Sequence, residues 1–183
     1  MPIEALRPRV AHVPGILQCL AGYHFHVLGI SPVADPDFSG ESILTVRNAI
    51  SHVDLERKSW IAARDDELLG FCCWDWQDEK SRVAKTVLIS VVPQERSAGV
   101  GAILQNRRLD EMREHGAREV HTFSDDPKAI HWYQERFGYH LIGYEPVHHC
   151  LHRFYFGELA YWGIHRGFPD RYELAHLRLE LSS

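Results

Sequence analysis

The chain has no apolar run approaching the ~18 residues that span a bilayer, and its opening Met1-Pro2-Ile3-Glu4 lacks the basic-then-apolar layout of an export signal. No membrane partner is expected, and a cytoplasmic location is. Cysteine is scarce: Cys19, Cys72, Cys73 and Cys150 stand in no paired spacing, which excludes a disulfide framework and predicts reduced thiols. Excess positive charge is missing too. Lysine and arginine number 20 against 25 acidic residues, a net charge of −5, which argues against nucleic acid and suits a cationic or neutral substrate. No repeat, low-complexity tract or linker interrupts the sequence. With 183 residues, 45% apolar and 25% charged, the chain is expected to form one globular domain over residues 1–183.

The order of elements is legible. Ile3 to Arg7 reads as a strand stopped by Pro8, and Val13, Ile16, Leu17 and Leu20 have helical spacing. Ser42 to His52 reads as a second helix. Ser59–Ala63 and Leu68–Trp76 are β-rich runs around Arg64-Asp65-Asp66-Glu67, which predicts an antiparallel hairpin. A strand over Val83–Val92 leads into a glycine-bearing turn, then a helical stripe of Val100, Ile103, Leu104 and Met112 that Gly116 ends. Glu119–Ser124 is the next strand. Asp126-Pro127 is an N-cap followed by proline at the first helical position, and Gly138 closes that helix. Tyr139–Tyr144 and Glu173–Leu181 complete a mixed α/β sheet, with residues 146–183 an aromatic- and histidine-rich connection and last strand.

The turn Val92-Pro93-Gln94-Glu95-Arg96-Ser97-Ala98-Gly99-Val100-Gly101 is the richest stretch. Pro93 forces Val92 to remain extended, and Gly99 and Gly101 let the backbone approach a ligand without a Cβ in the way. Free N–H groups at a helix start attract an anion, and Arg96 adds a permanent positive charge. Two phosphate-binding classes are excluded by absence. No Lys-Ser/Thr pair follows Gly101, as a Walker A loop requires, and the third glycine of a dinucleotide fingerprint is replaced by Leu104.

Arg-x-x-Gly-x-Gly after Val-x-Pro resembles the acetyl-CoA-binding signature of the GNAT acetyltransferase superfamily. About thirty residues later, Asp126-Pro127-Lys128-Ala129-Ile130-His131-Trp132-Tyr133 through Phe137-Gly138-Tyr139 resembles the family's Asn-x-x-Ala, Tyr, Gly-Phe pattern. Asp126 replaces Asn and Tyr139 replaces Phe, each keeping its role as cap or aromatic ring. Leu6-Arg7-Pro8 resembles the family's opening Ile-Arg-Pro strand. The resemblance implies a mixed, mostly antiparallel sheet of six to seven strands, splayed between the fourth and fifth, flanked by about four helices. It also implies acetyl-CoA as cosubstrate, with the acetyl group in the gap between the splayed strands.

On that resemblance Val91 and Val92 would pair with the pantetheine arm, and Arg96, Ser97, Ala98, Gly99, Val100, Gly101 and Ala102 would hold the pyrophosphate, with Asp126 capping the following helix beside the cofactor. Tyr133 matches the family's usual general acid for the departing thiolate. A phenol of ordinary pKa ~10 is protonated at neutral pH and can donate. The competing reading makes it a core residue, since Ile130, Tyr133 and Phe137 share a helical face. The expected acceptor is a primary amine of a small molecule, with a protein N-terminus or lysine as alternative, and a catalytically silent CoA-binding module as a third reading.

No carboxylate stands on the strand before the turn, which carries Thr86 and Ser90, so Asp75, His121 and a water chain remain open as base. Thirteen histidines include His24-Phe25-His26 and His148-His149-Cys150-Leu151-His152, but neither cluster has a zinc spacing with a second ligand pair, and no metal is expected. Phe154, Tyr155, Phe156, Tyr161, Trp162 and Phe168 must bury against the sheet, the acceptor, or an identical subunit in a homodimer.

Overall fold

The computed structural model describes residues 2–9, 12, 15–16, 19, 58–124, 126–146 and 173–181. The helix expected over Ser42–His52, the histidine clusters and the aromatic stretch 154–168 lie outside the described residues. Of the first helix, Gly15, Ile16 and Cys19 are described and helical.

Seven strands form the sheet: β1 (Glu4–Leu6), β2 (Ser59–Arg64), β3 (Glu67–Asp78), β4 (Val83–Val91), β5 (Glu119–Ser124), β6 (His140–Pro146) and β7 (Glu173–Glu180), in the order β1-β2-β3-β4-β5-β7-β6. A 3₁₀ turn at Pro93–Glu95 precedes helix α1 (Val100–Glu114), and helix α2 (Pro127–Phe137) follows β5. The pairs β1/β2, β2/β3, β5/β7 and β6/β7 are antiparallel, whereas β4 and β5 are parallel. Their ladder runs from Val83↔Glu119 to Lys85↔His121. This is the mixed, mostly antiparallel sheet with a parallel fourth and fifth strand that the sequence resemblance implies.

The hairpin is tighter than its four-residue sequence signal. Asp65 and Asp66 both have positive φ, 50° and 65°, so the strands extend to Arg64 and Glu67 around a two-residue turn. Such turns suit aspartate, whose short side chain tolerates the left-handed region.

The chain divides into two compact units, Met1–Trp74 with Leu88–Glu111, and Asp75–Val87 with Met112–Ser183. In the first, Trp60, Ala62, Leu69, Cys72, Val100 and Leu104 form an apolar cluster between strands and α1, with Ile3, Ala5, Ile89 and Val91 packed against it. Gly70 permits this close approach. A Cβ there would lie 2.8 Å from the Ser90 carbonyl oxygen and 3.0 Å from Leu104 Cδ1.

A polar core sits beside the apolar one. The fully buried Glu111 carboxylate accepts from the indoles of Trp60 at 2.7 Å and Trp74 at 2.8 Å and pairs with the Arg7 guanidinium. Arg7 also donates to the Ser59 carbonyl at 3.2 Å and stacks 3.9 Å over the Trp60 ring. One carboxylate on α1 thus ties β1, β2 and β3 together, and the Leu6-Arg7-Pro8 motif has a structural purpose. The equally buried Arg108 donates to the Cys73 and Leu88 carbonyls at 3.1 and 2.8 Å. These buried charges escape a search for apolar stripes, although Gln105, Arg108 and Glu111 recur at a spacing of three that places them on the helix's inner side.

In the second unit β5 and β7 bury Val120, Thr122, Ala175 and Leu177 on one face. α2 starts at Asp126, whose carboxylate accepts from Lys128 N–H at 2.9 Å, and ends at Gly138 with φ 72°. Both caps are those the sequence signals.

Candidate functional site

The turn after β4 is built to leave donors exposed. Val92 is extended (ψ 138°), as the following proline demands, and its N–H is held by the Leu69 carbonyl at 2.9 Å. The chain then turns through Pro93–Glu95 and reaches left-handed φ at Ser97 (72°) and Gly99 (87°) before α1 begins. Three of the expected pyrophosphate amides are spent inside the turn: Arg96 N–H on Pro93, Ala98 N–H on Glu95 and Ala102 N–H on Gly99. Among the described residues, the N–H groups of Ser97, Gly99, Val100 and Gly101 have no backbone acceptor. Val100 and Gly101 are first-turn amides that no helix can satisfy internally. Four amides without a backbone acceptor thus stand at the positive end of a 15-residue helix, an arrangement that favours an anion.

Two arginines shape it. Arg64, at the end of β2, grips Glu95 with both terminal nitrogens, at 3.2 and 2.9 Å, and pins the 3₁₀ turn from outside. The fork also offsets a carboxylate that would otherwise repel an anion one residue away. Arg96 itself turns its Nε toward the Val91 carbonyl at 3.4 Å, on the oxygen expected to meet the pantetheine arm. Sequence reading did not find the Arg64–Glu95 clamp, because its partners are 31 residues apart and neither belongs to a motif.

Tyr133 and Asp126 belong to the second unit. Tyr133 is buried, meeting the rings of Trp132 and Tyr139 edge-on at 5.0 and 5.1 Å. It has the aromatic surroundings of a core residue at the position for which the sequence resemblance implies a general acid.

The polar side chains of β4 and the residues left open as base are variously engaged. Thr86 bonds Thr122, and Ser90 donates to the Cys19 carbonyl at 3.0 Å, so both serve packing. Asp75 accepts from Trp76 N–H at 2.8 Å. The nearby acidic cluster is a turn: Asp78 takes Lys80 N–H, Ser81 N–H and the Ser81 hydroxyl, which lowers its carboxyl pKa, the Ser81 hydroxyl contributing most. His121 lies in a chain of side chains, from Glu119 (3.1 Å) through His121 to His176 (3.0 Å) and on to Glu145 (2.6 Å).

The described cysteines, Cys19, Cys72 and Cys73, are buried. Burial pushes the Cys19 and Cys72 thiols up to about 11, so they are protonated at neutral pH and poor nucleophiles. Among the described residues no group of three His, Cys, Asp or Glu side chains is placed to hold a metal, and no helix is long and apolar enough to cross a membrane.

The strand that ends before Pro93, the turn with four amides left over and the helix that follows belong to a mixed α/β fold whose sheet contains a parallel strand pair. The chain belongs to the acetyltransferase (GNAT) family, whose model matches residues 31–139, and it is therefore an acetyltransferase. No curated protein matches it by sequence. Solved structures share its fold. An N-acetyltransferase from Staphylococcus aureus Mu50 is 14% identical over 100% of both chains, with a TM-score of 0.66. A GCN5-related N-acetyltransferase from Kribbella flavida is 20% identical over 98% of both chains (TM-score 0.64). N-acetylglutamate synthase from Neisseria gonorrhoeae, complexed with coenzyme A and N-acetyl-glutamate, is 15% identical, covering 100% of this chain and 36% of its own (TM-score 0.64).

Proposed function

We propose that the protein transfers the acetyl group of acetyl-CoA to a primary amine of a small molecule, directly, within a ternary complex. The observation that carries the reading is the turn at 92–102, whose Ser97, Gly99, Val100 and Gly101 amides point to an anion at a helix start. The pyrophosphate of coenzyme A suits those donors, and the Neisseria enzyme of the same fold binds coenzyme A. Val91 and Val92 would lie along the pantetheine arm, and Tyr133 would protonate the departing thiolate. Direct transfer is supported by the cysteines, since buried protonated thiols at 19 and 72 do not favour an acetyl-cysteine intermediate. A small acceptor is favoured by the acidic net charge, which suits an ammonium group.

The test is thiol release from acetyl-CoA against a panel of small primary amines, N-terminal peptides and lysine peptides. Turnover with small amines supports the reading. Turnover confined to peptides replaces the acceptor class, and coenzyme binding without turnover on any acceptor leaves a silent binding module.

A further inference from the structure

The second half of β4 has an open edge. β4 pairs with β5 from Val83 to Lys85, so among the described residues its later part has no ladder partner on that side. Which backbone groups face the open side follows from peptide geometry, because the C=O and N–H of a trans peptide point in opposite directions. Val92 N–H is held by Leu69 of β3 at 2.9 Å, so the Val91 C=O in the same peptide points away from β3. Val92 itself is engaged twice, since its C=O accepts from Glu95 N–H at 3.0 Å.

The Leu88–Ile89 peptide is fixed by a side chain. Trp74 N–H bonds the Lys58 carbonyl on the β2 side at 3.0 Å, which turns the Cys73 C=O of that peptide toward β4. There the Cys73 and Leu88 carbonyls converge on one nitrogen, Arg108 Nη1, at 3.1 and 2.8 Å. The Leu88 C=O therefore points back toward β3, and the Ile89 N–H points to the open side. Arg108 is steadied in turn, because its other terminal nitrogen bonds Gln105 Oε1 and both residues are fully buried. The Ile89 and Val91 side chains pack against the apolar cluster that contains Val100 and Leu104 of α1, which leaves their backbone to line the edge. All of these residues belong to the unit that carries the turn at 92–102.

Burying a guanidinium costs free energy, and an apolar side chain fills the same helix–sheet contact at Leu104. What the planar fork adds is direction. A charged donor on the Leu88 carbonyl orients the peptide and polarises it, which makes the Ile89 N–H a stronger donor. We propose that Arg108 is a positioning residue for the coenzyme: it aims the Ile89 N–H at a carbonyl of the acyl-pantetheine arm, laid along Ile89 and Val91 as an added strand. The inference rests on the coenzyme reading above. Being buried, Arg108 acts through the Leu88–Ile89 peptide.

The test is backbone ¹H–¹⁵N NMR with calorimetry on the wild type, Arg108→Met and Arg108→Lys, titrated with acetyl-CoA and with ADP, which has the diphosphate but no pantetheine arm. In the wild type, acetyl-CoA should move the Ile89 and Val91 amides together with those at 97–101, and ADP only the latter. Arg108→Met should bind acetyl-CoA about tenfold more weakly and lose the Ile89 shift, while its ADP affinity stays within about twofold. Arg108→Lys keeps a donor and should recover part of the loss. Equal weakening toward both ligands reduces Arg108 to a packing residue, and full acetyl-CoA affinity with the Ile89 shift intact removes it from the site; either result overturns the proposal. Should Arg108→Met not fold, Arg108→Lys decides between the same outcomes, with a smaller expected loss. A wild type that binds acetyl-CoA with Ile89 unmoved refutes this proposal alone. A wild type that does not bind acetyl-CoA refutes the coenzyme reading, and this proposal with it.

Discussion

At the scale of single residues, Tyr133 and Glu111 bracket two kinds of buried polar group. Tyr133 is enclosed by Trp132 and Tyr139, so phenylalanine keeps every ring contact and removes only the hydroxyl. Tyr133→Phe should reduce kcat by about 10²-fold while coenzyme affinity by calorimetry stays within about twofold. Unchanged turnover would make Tyr133 a packing residue. Glu111 is a different case, because two indoles and a guanidinium converge on one carboxylate. Glu111→Leu leaves those donors buried without it, and urea unfolding should show a loss of about 3 kcal/mol. The sequence made the Arg7 motif and the Tyr133 position legible, because each lies in a recognisable local string. Glu111 was not, since a glutamate in a helix reads as solvated unless its partners, 51 and 37 residues away, are known.

At the scale of elements, the turn and its clamp form one device. Pro93, Gly99 and the α1 start were readable because proline and glycine act on the backbone locally, and the observed φ values at Ser97 and Gly99 agree with that reading. The same local logic located both caps of α2 and the ends of β5. It did not disclose which amides the turn spends on itself, because that depends on how sharply Pro93–Glu95 winds. Arg64 holds that winding through Glu95, and the ion pair with Glu95 raises its guanidinium pKa. Arg64→Met should weaken coenzyme binding by about three- to tenfold, with Glu95→Gln restoring part of the loss by removing the stranded carboxylate. Equal affinities in all three proteins would mean that the turn keeps its shape unaided.

At the scale of the whole molecule, turn and cap signals made the elements legible in chain order, the parallel β4/β5 pair was implied by the family resemblance, and the order β5-β7-β6 was not legible. The Glu119–His121–His176–Glu145 chain was hidden because it needs three strands brought into register, and sequence spacing contains no trace of the β7 partner. It gives stability a pH dependence of definite sign. His176 has a folded pKa below its unfolded value near 6.5, so the unfolded chain binds the proton more readily, and the contribution is fully present above 6.5 and lost as pH falls through the folded value. Thermal unfolding should therefore drop between pH 8 and pH 5 by up to about 2 °C more in the wild type than in His176→Gln. The small size follows because the neighbouring Glu145 carboxylate, which favours the protonated ring, offsets part of the depression. Identical pH dependence in both proteins would remove His176 from the balance.

The account depends above all on backbone amides at 97–101 gripping the pyrophosphate of coenzyme A, and backbone ¹H–¹⁵N NMR during titration with the coenzyme tests that most directly. The Ser97, Gly99, Val100 and Gly101 amides should move together and saturate with the calorimetric Kd, and Gly101→Glu should abolish both the shifts and the heat. Coenzyme binding that leaves those four amides unmoved would contradict it.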